Sequence, residues 1–208
     1  MTVSTKLRGR LRAQGMRTRA GIMGAARTLL LECGSLDFTL REIALRTGIS
    51  VSNLQYYFPT RLALLRAVLA PVIEACQRDL KQTLGEATAP RIKLHRLMSR
   101  ALHDARDAEN AALMRHFLSL VAIDPATARL LEGWYATLTR DITALVCAAN
   151  PALAPTRCRE IAVLMIAVAD GVTVRNGAGM GARDDPHALD QAIRATVDHL
   201  LDDSIHQV

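Results

Sequence analysis

The sequence predicts an all-α protein of two helical domains, and three observations predict it. Half of the 208 residues are apolar yet only 3% are aromatic, so a core must be built from Leu, Ala, Val and Ile. That composition suits packed helices better than a sheet rich in β-branched and aromatic side chains. Apolar residues recur at three- and four-residue spacing along most of the chain. Beyond about residue 82, Pro and Gly fall between these periodic segments. A mass of 22.7 kDa allows one or two modest domains with ample core.

The elements follow in order. Ile22, Ala25, Ala26, Leu29, Leu30 and Cys33 lie on one helical face, and Gly34 supplies the stop. Thr39 and Glu42 have the spacing of a capping box, opening a short helix that buries Leu40, Ile43 and Ala44 and ends at Gly48. Ser50 is placed to cap a second short helix, Val51 to Phe58, with Leu54 and Phe58 inward and Pro59 closing it. Thr60 caps a longer helix whose inward stripe is Leu62, Leu65, Leu69, Val72, Ile73, Cys76 and Leu80. Five more helices are predicted over Ala89–Ala108, Ala111–Ile123, Pro125–Ala149, Pro155–Asn176 and His187–His206, two of them beginning on a proline that a first turn tolerates. Residues 177–186 read as a loop.

Charge is unevenly placed. Residues 1–69 hold eleven Lys or Arg against three acids, whereas residues 70–208 hold fifteen against seventeen. A basic partner surface therefore belongs to the N-terminal third, and charge alone leaves open a phosphate backbone or an anionic membrane. Residues 1–16, with Lys6, Arg8, Arg10 and Arg12, show no sustained apolar period and are expected to form a flexible basic arm, either touching DNA or only aiding solubility.

Several classes are disfavoured. The longest run without a polar residue, Ile161 to Ala169, ends at Asp170, far short of the roughly 20 residues that span a bilayer. The basic N-terminus passes directly into more charge without an apolar stretch, so a secretory signal is not expected and the chain is expected in the cytoplasm. Cys33, Cys76, Cys147 and Cys158 contain no CxxC pair, so neither a metal site nor a disulfide framework is expected. There is no G-x-S-x-G elbow or HExxH motif, and no cofactor or enzymatic activity is expected.

The link Gly48-Ile49-Ser50 between two short helices has the arithmetic of a helix-turn-helix over residues 39–58. The outer face of its second helix offers Val51, Ser52, Asn53, Gln55, Tyr56 and Tyr57, a face with several hydrogen-bonding groups and no charge, flanked by Arg41, Arg46 and Arg61 as candidate phosphate clamps. The run from Phe38 to Arg61, with Leu64 and Leu65 after it and the Ile22-to-Gly34 segment before it, resembles the DNA-binding domain of the TetR family of transcriptional regulators. The resemblance covers residues 17–70. It implies DNA contacts from Thr39, Arg41, Ser50, Val51, Ser52, Asn53, Gln55, Tyr56, Tyr57, Thr60 and Arg61, the last standing where the family usually has lysine. Two departures are Gln55, where tyrosine is common, and Leu62, where an acid is common.

By the same resemblance residues 71–208 form a helical domain that senses a ligand and dimerises, and the chain is a regulator, expected to be a repressor, reading a pseudopalindromic double-stranded operator as a homodimer. Candidate pocket residues for a small-molecule effector are His95, His116, Trp134, Tyr135 and Asp170, which interrupt apolar faces with polar groups, and Met98 and Leu120 as apolar wall. The candidate dimer interface draws on the nearly all-round apolar segment with Ile161, Leu164, Met165 and Val168, and on a second stripe of Ile193, Val197, Leu200 and Leu201. A basic amphipathic helical protein of membrane surfaces or lipids is the alternative reading.

Overall fold

The computed structural model describes residues 3–177 and 185–202, and these fold as helices: α1 (Val3–Cys33), α2 (Leu40–Thr47), α3 (Val51–Tyr57), α4 (Arg61–Gly85), α5 (Pro90–Arg106), α6 (Ala108–Val121), α7 (Pro125–Ala149), α8 (Pro155–Gly177) and α9 (Pro186–Asp202). Among the described residues there is no strand. Most of the predicted 177–186 loop and the last turn of the predicted C-terminal helix, residues 203–206, lie outside them.

The start of α1 differs from expectation. The segment read as an arm is helical from Val3 onward and continuous with the packed part of α1. Its Lys, Arg, Leu, Ala and Gln are good helix formers and no proline interrupts them, so a helix nucleated by the buried Ile22–Leu30 face propagates backward without needing an apolar stripe of its own.

The small elements are set by local chemistry. The Thr39 Oγ1 accepts the Glu42 N–H at 3.2 Å while the Glu42 carboxylate accepts the Thr39 N–H at 2.7 Å, completing the predicted box. Those hydrogen bonds hold the Glu42 carboxyl below its ordinary pKa. Phe38 and Ile43, at the two positions of a hydrophobic staple, are both buried in the same cluster. At the other end of α2, Gly48 takes φ 66°. The Ile49 N–H reaches the Ala44 carbonyl at 3.1 Å and the Gly48 N–H reaches that of Leu45 at 3.3 Å, the paired bonds of a Schellman stop. A side chain at position 48 would strain that left-handed turn. Ser50 and Thr60 then cap α3 and α4 by accepting the N–H groups of Asn53 and Ala63.

Two hydrophobic clusters hold the chain. The first gathers Ile22, Ala26, Leu30, Phe38, Ile43, Leu54, Phe58, Leu64, Leu65 and Leu69 beneath α1–α4, then continues without a break into Leu113, Phe117 and Leu120 of α6 and Trp134 of α7. The second joins α5, α7, α8 and α9 through Leu94, Met98, Leu102, Val146, Ile161, Met165, Val197 and Leu201. Helix α4 belongs to the first cluster throughout its length, from Leu64 to Leu80. Pro71 sits inside it, where the missing N–H leaves the Ala67 carbonyl without its helical partner and makes a soft point. Ion pairs tie the N-terminal helices to the rest, among them Arg27 to Glu109 of α6 at 2.7 Å and Arg66 to Asp124, the cap of α7, at 3.6 Å.

Candidate nucleic-acid interface and internal cavity

Helix α3 buries one residue, Leu54, and lets Phe58 follow it into the core just past the C-terminus. Apart from Tyr57, the rest of this short helix is turned away by that anchor. Val51, Ser52, Asn53, Gln55 and Tyr56 are exposed, Tyr56 at 81%. These side chains form a polar, uncharged ridge of the kind that can approach base edges closely. Tyr57 is different. It is half-buried against the first cluster, and its hydroxyl lies so near Gly15 of α1 that a Cβ there would come within 3.6 Å of it. The two rings meet edge to face with centroids 5.2 Å apart, so Tyr57 buttresses Tyr56. Arg19 stacks over Phe58 at 5.2 Å and adds a second brace between α1 and the end of α3.

The hydroxyls of Thr39, Ser50 and Thr60 are exposed but committed to capping. Of the expected cationic clamps, Arg41 is exposed on α2 with no ion-pair partner among the described residues. Arg46 is paired with Glu32 at 2.7 Å. Arg61 donates to the Leu36 carbonyl at 3.2 Å and lies 3.7 Å from Asp37, so it ties down the α1–α2 loop instead of standing free. Arg41→Ala is therefore expected to lower the slope of log affinity against log salt by about one for each subunit on any duplex. Arg61→Ala should move the slope less and lower the denaturation midpoint more. Binding titrations at several salt concentrations separate the two.

A second feature is a partly open cavity of about 380 Å³ bounded chiefly by α4, α5, α7 and α8. Its walls include Leu97 and Met98 of α5, Leu131, Trp134, Tyr135, Leu138 and Ile142 of α7, and Met165 and Ile166 of α8. Helix α4 closes it with Pro71, Val72, Ile73 and Cys76. Polar groups are few: Asp79, Thr83, Arg100, Asp104, Asp170 and Thr173, with Arg27 and Asn110 also at the lining. The Tyr135 hydroxyl donates to the Asp170 carboxylate at 2.7 Å. Burial, then that hydrogen bond and the carboxylate charge, push the Tyr135 hydroxyl far above its ordinary pKa. Asp170 is open to solvent on one side and desolvated on the other, so its carboxyl is raised although the Tyr135 bond works against the rise. Burial first, then Asp104 and Asp79, push the Cys76 thiol up to about 11.

Four of the seven expected pocket residues, Met98, Trp134, Tyr135 and Asp170, meet at this cavity, whereas His95, His116 and Leu120 do not line it. His95 faces α9, with its Nε2 2.9 Å from Asp198. His116 and Leu120 point from α6 into the first cluster and are buried there, His116 near the Leu30 backbone. Burial, then Arg115, lowers the His116 pKa, which favours a neutral imidazole packed in the core. A polar residue on an apolar face marks burial, not the direction faced. Among the residues missed, Leu131, Leu138 and Ile142 continue the Trp134/Tyr135 stripe at helical spacing, and that periodicity carried the signal.

The apolar stripes expected at a dimer interface divide in the same way. Ile161, Met165, Ile193, Val197 and Leu201 are buried in the subunit's own second cluster, with Met165 only 3% exposed. Val168 and Leu200 are partly buried against it. Leu164 faces out at 45%, beside Val163 at 48%, with Ala167 and Val174 exposed along the same helix. A segment apolar all round supplies two faces, and the subunit consumes the larger one. Among the described residues no group of His, Cys, Asp and Glu could hold a metal ion, and no helix is long and apolar enough to cross a membrane.

Comparison with known proteins agrees with this geometry. Residues 22–68 match the family model described as bacterial regulatory proteins, tetR family. The chain is 27% identical to the HTH-type transcriptional regulator BetI of Brucella suis, over 84% of this chain and 86% of that protein. It is 28% identical to the HTH-type transcriptional regulator RutR of Escherichia coli K12, over 66% of this chain and 67% of that one. In fold it is similar to a transcriptional regulator from Rhodococcus, with TM-score 0.74, 21% identity, and 91% and 99% of the two chains covered. A regulator from Pseudomonas aeruginosa gives TM-score 0.76 at 18% identity, covering 89% and 91%.

Proposed function

We propose, from the premise that this chain belongs to the TetR family of DNA-binding transcriptional regulators, that it is a homodimeric, effector-released repressor with no catalytic role. The observation that carries the reading is the double membership of α4. Its first half is packed under the helix-turn-helix through Leu64, Leu65 and Leu69, and its second half walls the cavity through Val72, Ile73 and Cys76. A ligand that reshapes the cavity must act on this helix, whose soft point at Pro71 stands at the boundary between the two halves. Two recognition helices read successive major grooves only if they sit about one helical turn apart, roughly 34–36 Å. A small rotation of α4 with α1–α3 in each subunit alters that spacing. Operator affinity then falls by the ratio of effector affinities for the two conformers.

The dimer is supported by the outer face of α8, where Val163, Leu164 and Ala167 make an exposed apolar patch and Val174 is exposed again one turn beyond Asp170. Helix α9 adds the small exposed residues Ala188, Ala192 and Ala195, which permit close approach. Two such helices from each subunit can build a four-helix interface about a twofold axis.

Reciprocity supplies a test that needs no known effector. If cavity and operator are linked, DNA binding must alter the cavity as the ligand alters DNA binding. The single tryptophan, Trp134, stands in the cavity wall. With a duplex selected from a random pool, Trp134 emission is expected to shift on operator addition and not on addition of a scrambled duplex. Tight, specific binding with unchanged emission, followed by a metabolite screen in which no compound releases the duplex, would overturn the switch and leave a constitutive DNA-binding protein.

A further inference from the structure

Resting on the reading of the cavity as an effector site, we propose that its ligand class is a hydrophobic organic cation, an amine or quaternary ammonium on an aryl or alkyl body, with Asp170 as the counter-charge. The walls fix the apolar part. Met98, Leu138, Ile142 and Ile166 enclose a volume that suits a compact hydrophobic body. The charges fix the rest. Three aspartates stand in the lining against two arginines. Arg27 is held by Glu109 outside the cavity, and Arg100 is shared between Asp79 at 3.3 Å and Asp104 at 3.1 Å. One positive charge thus faces two negative ones at that end. Asp170 has only the neutral Tyr135 hydroxyl as a partner among the described residues.

The lining therefore carries uncompensated negative charge beside an apolar wall, where its field is screened less than in open water. Two groups in the lining respond to that field. The Cys76 thiol and the Tyr135 hydroxyl are pushed toward their protonated forms by burial and, in addition, by the neighbouring carboxylates. A cation meets the same field as attraction and an anion meets it as repulsion. Trp134 and Tyr135 add aromatic surface in the same wall, whose faces favour cations further. A cation beside Asp170 favours its ionised form, because an opposite charge stabilises that state, and so works against the upward push of burial.

Trp134 emission reads occupancy of the cavity without any DNA present. The full-length protein is titrated with 4-phenylbutyltrimethylammonium, 4-phenylbutanol and 4-phenylbutyrate, which share one apolar body and differ in charge. The ammonium is expected to bind at least about tenfold more tightly than either of the others, the scale of one favourable charge contact in a partly desolvated site. Asp170→Asn should cut that preference to less than about threefold while leaving the phenylbutanol Kd within about twofold. Equal or tighter binding of the alcohol or the carboxylate by the unaltered protein overturns the proposal, as does an absent Trp134 response to the ammonium. The two readings fail separately. Ammonium binding without operator release keeps the ligand class and defeats the switch, whereas operator release by the carboxylate in preference to the ammonium keeps the switch and defeats the ligand class.

Discussion

Leu164→Asp is expected to convert the protein from a dimer of twice 22.7 kDa to a 22.7 kDa monomer and to lower operator affinity by about a hundred- to ten-thousandfold. Leu164 is 45% exposed on α8 in the isolated subunit, so the carboxylate costs little in the monomer. In the proposed dimer the position lies within the interface, where the carboxylate must shed water. Loss of operator binding follows because one recognition helix grips only one half-site and the second engagement ceases to be intramolecular. Met165→Ala, one residue along, supplies the contrast. Its side chain is 3% exposed in the subunit's own core, and truncation should cost about 2–5 kcal/mol of folding stability without changing the mass of the folded protein. Analytical ultracentrifugation with denaturant melts distinguishes the two. A Leu164→Asp protein that remains dimeric with unchanged affinity would place the interface elsewhere.

Tyr56→Ala is expected to weaken operator binding by about 1–3 kcal/mol for each half-site, and both half-sites change together in a homodimer. Binding to random duplex should fall much less. Stability should stay within about 0.5 kcal/mol, because an 81% exposed ring removes almost no packing when truncated. Tyr57→Ala should reverse the balance. Its ring is half-buried against the first cluster beside α1, so a stability loss of about 1–3 kcal/mol is expected together with a secondary loss of affinity as Tyr56 loses its edge-to-face support. Equal losses on operator and random duplex for Tyr56→Ala would mean that this ring touches phosphate or sugar and reads no base.

The helix boundaries were legible because local chemistry decides them. Thr39 with Glu42, Gly48, Ser50, Pro59 and Thr60 each satisfy or interrupt backbone groups within four residues of themselves, so the sequence neighbourhood contains both partners. Most of the polar ridge of α3 was legible for the same reason, since Leu54 anchors a seven-residue helix, but Tyr57, expected on that ridge, packs half-buried beside α1. The extension of α1 back to Val3 was missed because apolar periodicity reports burial, and a solvated helix shows none.

What the amino-acid order determined by itself is the fold class, the position of nearly every helix and the ridge that can read DNA, all of them consequences of interactions a few residues long. Tertiary packing decided the rest. It chose which face of the doubly apolar α8 the subunit keeps for itself and which it leaves outside as Val163 and Leu164. It tied Arg61 to the Leu36 carbonyl and Asp37 while leaving Arg41 open, sent His95 and His116 away from the cavity, and brought Asp170 to Tyr135 from thirty-five residues away. The physical reason is that a side chain's direction depends on which neighbour buries the helix that carries it, and those neighbours are distant in sequence.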